Sequence, residues 1–199
     1  MLISYLFGSV PWALVIGKVF YHTDVREHGS HNLGGSNAGR VLGKRAGISV
    51  IVLDALKAFF VVWGISLFDP IIAAYSGLAC VLGHCFPIFA KFKGGKGVAT
   101  TFGYLLGVSI FLTPHFVLLF VIPLAVFLIL LVLFKMVSLA AMVSLALAAV
   151  LSFLQGDIHV QICLCAMVLL VILRHHGNIS RILGGTERKI TWLDRKKKE

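Results

Sequence analysis

The chain has 199 residues, 59% hydrophobic and 13% charged, with mean hydropathy +0.97 and a formal charge of +10. A soluble domain of this size could not bury so much apolar surface, so the long uncharged runs are read as transmembrane helices. The basic excess lies between those runs, which points to anionic lipid or substrate and away from nucleic acid.

Seven apolar segments follow in order: 2–21, 46–68, 71–90, 98–112, 115–134, 136–154 and 158–173. Each is long enough, or nearly so, to cross about 30 Å of hydrocarbon. The fourth and seventh are short, which leaves half-spans or segments packed deep in the bundle. Asp69-Pro70, Thr113-Pro114 and Gly156-Asp157 supply tight turns between segments. No cleavable leader is read at the start, because Leu2 onward is apolar without a charged leader and Pro11 and Lys18 interrupt the run. Cys80, Cys85, Cys163 and Cys165 lack redox or zinc spacing and are read as packing residues.

Lysine and arginine alternate along the loops. Arg26, Arg40, Lys44 and Arg45 fill the first loop, Lys91, Lys93 and Lys96 the third, and Lys135 the fifth. Arg174, Arg181, Arg188 and the run 195–198 fill the tail, while the second, fourth and sixth loops have none. The positive-inside rule then places the N-terminus outside and the C-terminus in the cytosol, with an odd number of spans.

The first cytosolic loop, residues 24–40, is dense in Gly, Ser and Asn, which argues against ordinary helix. Ser30, Asn32, Ser36 and Asn37 offer neutral hydrogen-bonding groups, and Arg40 offers a bidentate fork for phosphate. The plain alternative is a flexible linker. Asp54 and Lys57 follow within the second segment at i and i+3, on one helix face, and a structural ion pair is favoured over ligand contact.

His84 closes the third segment, as a packing or capping residue or as a base or phosphate donor. Beyond it runs Phe92-Lys93-Gly94-Gly95-Lys96-Gly97-Val98-Ala99-Thr100. Glycine lets backbone N–H groups approach an anion, lysine adds a point charge, and the resuming apolar run puts a helix N-terminus at Val98. The reading is a phosphate-bearing ligand at a membrane surface; the alternative is a loop whose lysines only set topology. A nucleotide P-loop is excluded, since its first glycine would fall at Ala90 and Gly97 replaces the magnesium-binding Ser/Thr. The dinucleotide fingerprint is also missed.

After the last segment, Arg174-His175-His176-Gly177-Asn178-Ile179-Ser180-Arg181 forms a third polar cluster on the same side. Trp192 and the terminal basic run are expected on the anionic leaflet. The three clusters carry many anion donors and few nucleophiles. His22, His28 and His31 lack partners for a metal site, the spans show no carboxylate relay, and no His-x4-Asp pattern occurs.

These motifs, taken in order, resemble the bacterial membrane glycerol-3-phosphate acyltransferases that use acyl phosphate, the PlsY family. Gly8-Ser9-Val10-Pro11 is similar to the opening signature, and residues 30–40 to the first motif. Residues 83–100 match the second closely; His175, Asn178-Ile179 and Gly185-Thr186-Glu187 resemble the third. The resemblance covers nearly the whole chain.

It implies an all-α, polytopic membrane enzyme of about seven helices in the bacterial cytoplasmic (inner) membrane, one domain over 1–199 with a basic tail from about 174. The implied reaction joins the acyl group of acyl phosphate to the sn-1 hydroxyl of glycerol 3-phosphate, giving lysophosphatidic acid. Ser30, Arg40, Lys96, His175 and Asn178 would hold the glycerol-3-phosphate phosphate as the catalytic set. The acyl-phosphate head would lie near Ser36, Asn37 and Ser138, with the acyl chain entering between helices. Asn32, Gly34, His84, Gly94, Gly95, Gly97, Thr100 and Glu187 complete the expected substrate-binding set. No cofactor or metal is implied; the partners are the two substrates, membrane lipid and an enzyme supplying acyl phosphate, and the protein is expected to be a monomer.

The chain departs from the family pattern at four places. His31 stands where glycine is usual, His176 where arginine is usual, Gly35-Ser36 replaces Ala-Thr, and Ala141 replaces a common serine. The alternatives are a membrane carrier or receptor for an organic phosphate, and a divergent paralogue with another polyol-phosphate acceptor.

Overall fold

A computed structural model describes residues 1–190, so Trp192 and the basic run 195–198 lie outside the described residues. Among the described residues there is no strand; ten α-helices succeed one another. They are α1 (Leu2–Gly8), α2 (Trp12–Tyr21), α3 (Gly35–Val41), α4 (Lys44–Ser66), α5 (Pro70–Cys85), α6 (Val98–Phe111), α7 (Ile122–Phe134), α8 (Val137–Ser152), α9 (Ile158–Arg174) and α10 (His176–Leu183). The all-helical membrane architecture expected from the sequence is present, and each of the seven apolar segments is helical.

Their lengths differ in kind. Lys44–Ser66, Pro70–Ala90 and Val117–Phe134 are each long and apolar enough to cross a bilayer. Two further candidates are bent pairs, α1 with α2 at 41° and α9 with α10 at 59°. Helices α6 and α8 are shorter, at 14 and 16 residues, or about 21 and 24 Å.

The first segment is therefore not one continuous helix. Leu14 N and Val15 N both donate to Pro11 O, so a new helix starts at the proline and leaves Val10 between the two halves. Other ends follow local rules. Asp69 Oδ1 accepts from Ile72 N at 2.8 Å with Pro70 in the first turn of α5, and Asp157 caps α9 through His159 N and Val160 N.

Close backbone approach replaces hydrophobic drive inside the bundle. A Cβ at Gly103 of α6 would lie 1.9 Å from Ala55 O of α4, so these helices pack backbone to backbone. Tyr104, Leu105, Leu145, Leu164 and Met167 fill the main core between α4, α5, α6, α8 and α9. A smaller core of Ala13, Ile16, Val25, Leu33, Ala38 and Val50 pins the first polar segment to α2 and α4 at the basic end. Outward, Leu2, Phe68, Val132, Leu133 and Leu169 are exposed, as a lipid-facing girdle requires. Val117–Phe134 is the most peripheral span, only 17% buried over its most apolar window.

Candidate active site

The three polar clusters meet around one cavity of about 630 Å³ at the basic end of the bundle. The first cluster arrives partly as helix. Residues 35–41 form α3, contrary to the loop expected from their composition, because tertiary packing overrides weak propensity. A Cβ at Gly47 of α4 would stand 2.6 Å from Gly39 Cα, so two facing glycines let α3 lie directly on α4. That crossing presents Ser36 and Arg40 to the cavity.

Asn37 faces the other way and is buried. Its Nδ2 donates to Val25 O at 2.8 Å and His28 O at 3.2 Å, and its Oδ1 accepts from Ser30 N at 2.7 Å. All its polar capacity goes to the backbone, so Asn37 shapes the segment rather than lining the cavity. Ser30, Asn32 and Gly34 do line it, and Asn32 Oδ1 is buried without a partner in the protein.

In the lysine loop, Gly97 takes φ +83° immediately before α6, a left-handed turn that suits glycine, and the helix starts at Val98 as expected. Lys96 and Gly97 line the cavity. Gly94 and Gly95 do not: a Cβ at Gly94 would lie 2.1 Å from His84 O, and one at Gly95 2.1 Å from His84 Nε2. Their carbonyls accept from Arg174, Gly94 O from Nη2 at 2.9 Å and Gly95 O from Nε at 3.2 Å. These glycines are required by neighbouring protein atoms, which corrects the expectation of a backbone cradle for an anion at 94 and 95. Thr100 is likewise buried in the first turn of α6, outside the cavity wall.

The third cluster folds around the end of α9 and the amphipathic α10. His175 Nδ1–H donates to Val171 O at 2.7 Å, which leaves Nε2 for the cavity. Lys96 Nζ donates to Asn178 Oδ1, and Asn178 Nδ2 donates to Glu187 Oε1 at 2.6 Å. Ser138 Oγ donates to the same oxygen at 2.6 Å, while Arg181 Nε donates to Glu187 Oε2 at 2.8 Å. Burial alone would raise the Glu187 carboxyl, but the hydrogen bonds from Ser138, Asn178 and Arg181 leave it lowered, hence ionised. Glu187 therefore orients donors at the cavity wall, and its charge disfavours a phosphate oxygen beside it. Burial pushes Lys96 down to about 8.

Arg174 was absent from the expected site, although its place at the end of an apolar run beside two histidines was a signal. It lines the cavity, holds the lysine loop and stacks 5.5 Å from the Phe86 ring centroid. The apolar wall was also unforeseen: Ile51 and Ala55 of α4, Phe102 of α6, and Leu124 and Phe127 of α7 line the cavity. No periodicity marks such residues, since apolar side chains face lipid and cavity alike.

Known proteins resemble the chain in sequence and fold. The family model for glycerol-3-phosphate acyltransferase matches residues 1–185. A glycerol-3-phosphate acyltransferase of Bacillus cereus (strain G9842) is 43% identical over 98% of this chain and 96% of its own. One from Bacillus subtilis (strain 168) is 44% identical, covering 97% of each chain. The crystal structure of PlsY, an integral membrane glycerol 3-phosphate acyltransferase, in its glycerol 3-phosphate form superposes with a TM-score of 0.87 at 36% identity, over 97% of this chain and 94% of that one. Its lysophosphatidic acid form gives 0.84 at 34% identity. With a family model over residues 1–185, relatives above 40% identical over nearly the whole chain and a shared fold, the chain belongs to the PlsY family of membrane glycerol-3-phosphate acyltransferases.

Proposed function

We propose that the protein transfers an acyl group from acyl phosphate to the sn-1 hydroxyl of glycerol 3-phosphate at the cytosolic face of the bacterial inner membrane. The carrying observation is the mixed lining of one cavity: cationic and amide groups from the three polar clusters, with aromatic and aliphatic side chains from α4, α6 and α7. A small phosphorylated polyol suits the first set and a fatty acyl chain the second. The relatives named for glycerol 3-phosphate, and the PlsY structures in glycerol 3-phosphate and lysophosphatidic acid forms, support the acceptor and the product.

Ser30, Arg40, Lys96, His175 and Asn178 form the phosphate-binding set. Arg40 and Lys96 supply charge, and Ser30 and Asn178 supply neutral donors. A bound phosphate dianion raises the proton affinity of His175, turning Nε2 into a donor. Asn32 Oδ1, buried and unpartnered, offers an acceptor for a glycerol hydroxyl. Ser36 and Ser138 face the acyl-phosphate head.

Among the described residues no cysteine lines the cavity, and no cavity serine is hydrogen-bonded to a histidine. Direct transfer is therefore favoured over an acyl-enzyme. The sn-1 oxygen attacks the acyl carbonyl carbon, the carbonyl–phosphate C–O bond breaks with its electron pair leaving on phosphate, and the hydroxyl proton passes to a phosphate oxygen. Orientation and charge neutralisation supply the acceleration.

The test is purified protein in lipid with labelled glycerol 3-phosphate and long-chain acyl phosphate, and acyl-CoA as a parallel donor. Lysophosphatidic acid is expected from acyl phosphate. Product from acyl-CoA alone overturns the donor; saturable glycerol 3-phosphate binding without product overturns the reaction.

A further inference from the structure

Beneath the lysine loop, inside the bundle, lies a cluster that the phosphate-binding set does not include. Asp54 and Lys57 are each 2% exposed, and Lys57 Nζ stands 2.9 Å from Asp54 Oδ1. The same ammonium donates to His84 Nδ1 at 2.9 Å and to Val10 O at 3.3 Å. Val10 O is the carbonyl left in the break between α1 and α2, where Leu14 N and Val15 N bond Pro11 O instead. An ammonium can only donate, so Nδ1 accepts and the ring proton of neutral His84 sits on Nε2. His84 Nδ1 also lies 3.4 Å from Asp54 Oδ1, which closes the cluster.

Charges at this depth are expensive, and a well-packed apolar set would stabilise a bundle as well or better. Position suggests what the cluster is for. His84 touches the loop twice: its carbonyl accepts from Gly95 N at 3.1 Å, and its Nε2 edge leaves no room for a side chain on Gly95. Arg174 holds the same loop from the opposite side through Gly94 O and Gly95 O. Lys96 is the next residue, and its ammonium enters the cavity.

We infer that Asp54 and Lys57 are positioning residues: they lock His84, which seats Gly95 so that Lys96 meets the acceptor's phosphate. Val10 ties the broken first helix into the same lock. Asp54 and His84 reach the cavity wall but Lys57 does not, so Lys57 acts through those two side chains. The inference rests on the phosphate-binding role proposed for Lys96.

Two variants test it. Asp54→Asn with Lys57→Met removes both charges together, so neither is left unpaired. Gly95→Ala keeps the pair but pushes the His84 ring from its seat. Both would be purified in the same lipid as the wild type, and kcat, both KM values and Tm measured. The KM for glycerol 3-phosphate is expected to rise about tenfold in each, with the KM for acyl phosphate within about twofold of wild type. A lower Tm with both KM values unchanged overturns the inference, as does an equal rise in both. If the double variant does not fold, Gly95→Ala decides by the same criterion. If the wild type makes no lysophosphatidic acid, the function fails separately. The cluster is then tested by the Tm rise that inorganic phosphate gives, which should be smaller in the variants; an equal rise overturns the inference.

Discussion

Residues 30–40 and 94–97 are two glycine-rich, basic stretches at the same end of the bundle, and both supply a cation to one cavity. In the first, glycine serves a helix crossing: Gly39 faces Gly47, so α3 sits flush on α4 and carries Arg40 with it. In the second, glycine serves a folded loop: Gly94 and Gly95 press on His84 while Arg174 takes their carbonyls, and only Lys96 and Gly97 face the ligand space. Similar composition thus positions Arg40 on a rigid helix and Lys96 on a clamped turn. Close approach of other protein atoms, more than approach to an anion, explains Gly35, Gly94 and Gly95.

The comparison breaks first if either cation is dispensable. Lys96→Ala and Arg40→Ala should each lower kcat/KM for glycerol 3-phosphate by about 100-fold or more, with unchanged folding by gel filtration and thermal melting. Full activity in either variant removes that cation from the site.

Gly47→Ala tests the crossing itself. The added Cβ meets Gly39 Cα at 2.6 Å, so overpacking should cost about 1–3 kcal/mol in unfolding free energy and displace Arg40. A thermal melt with a parallel turnover assay checks both. An unchanged melt would mean that α3 is loosely seated.

A pH profile sharpens the view of the clamped turn. Burial holds the Lys96 pKa near 8, below the ordinary lysine value of 10.5, and the protonated form is the one that binds phosphate. Activity dependent on it is therefore present below about pH 8 and lost as pH rises through that value. At pH 9, kcat/KM for glycerol 3-phosphate should be about tenfold below its neutral plateau. A profile flat to pH 10 would show Lys96 to be ordinary and solvated.

The smallest effect belongs to His31, which stands where glycine is usual in the family pattern. Its φ of +58° is left-handed and costs a side chain about 1 kcal/mol, while its Nδ1–H donates to Arg26 O at 2.8 Å and returns a similar amount. His31→Gly should shift unfolding free energy by less than about 1 kcal/mol. A larger loss would show that the ring holds the segment more firmly than one hydrogen bond can.

Much was determined by the sequence alone. Apolar runs of span length between basic loops dictate a polytopic helical bundle, because lipid offers the backbone no other hydrogen-bond partners. Arg40, Lys96, His175 and Asn178 could be picked out because polar groups at a membrane boundary are costly and stand out against apolar flanks. Gly97 could be placed at a helix start for the same reason. Tertiary structure decided what local pattern cannot encode. Whether a glycine faces ligand or protein depends on which helix lies opposite, so α3 and the packed roles of Gly94 and Gly95 were invisible along the chain. Asn37 and Thr100 carry groups suited to a ligand, yet they turned inward. Glu187 could be named but not given its task, since its three donors come from α8 and α10. The apolar cavity wall of Ile51, Ala55, Phe102, Leu124 and Phe127 is the clearest case. In a membrane bundle apolar side chains face lipid, core and cavity alike, so hydrophobicity marks the span but not the cavity, and only packing decides which side chains enclose empty space.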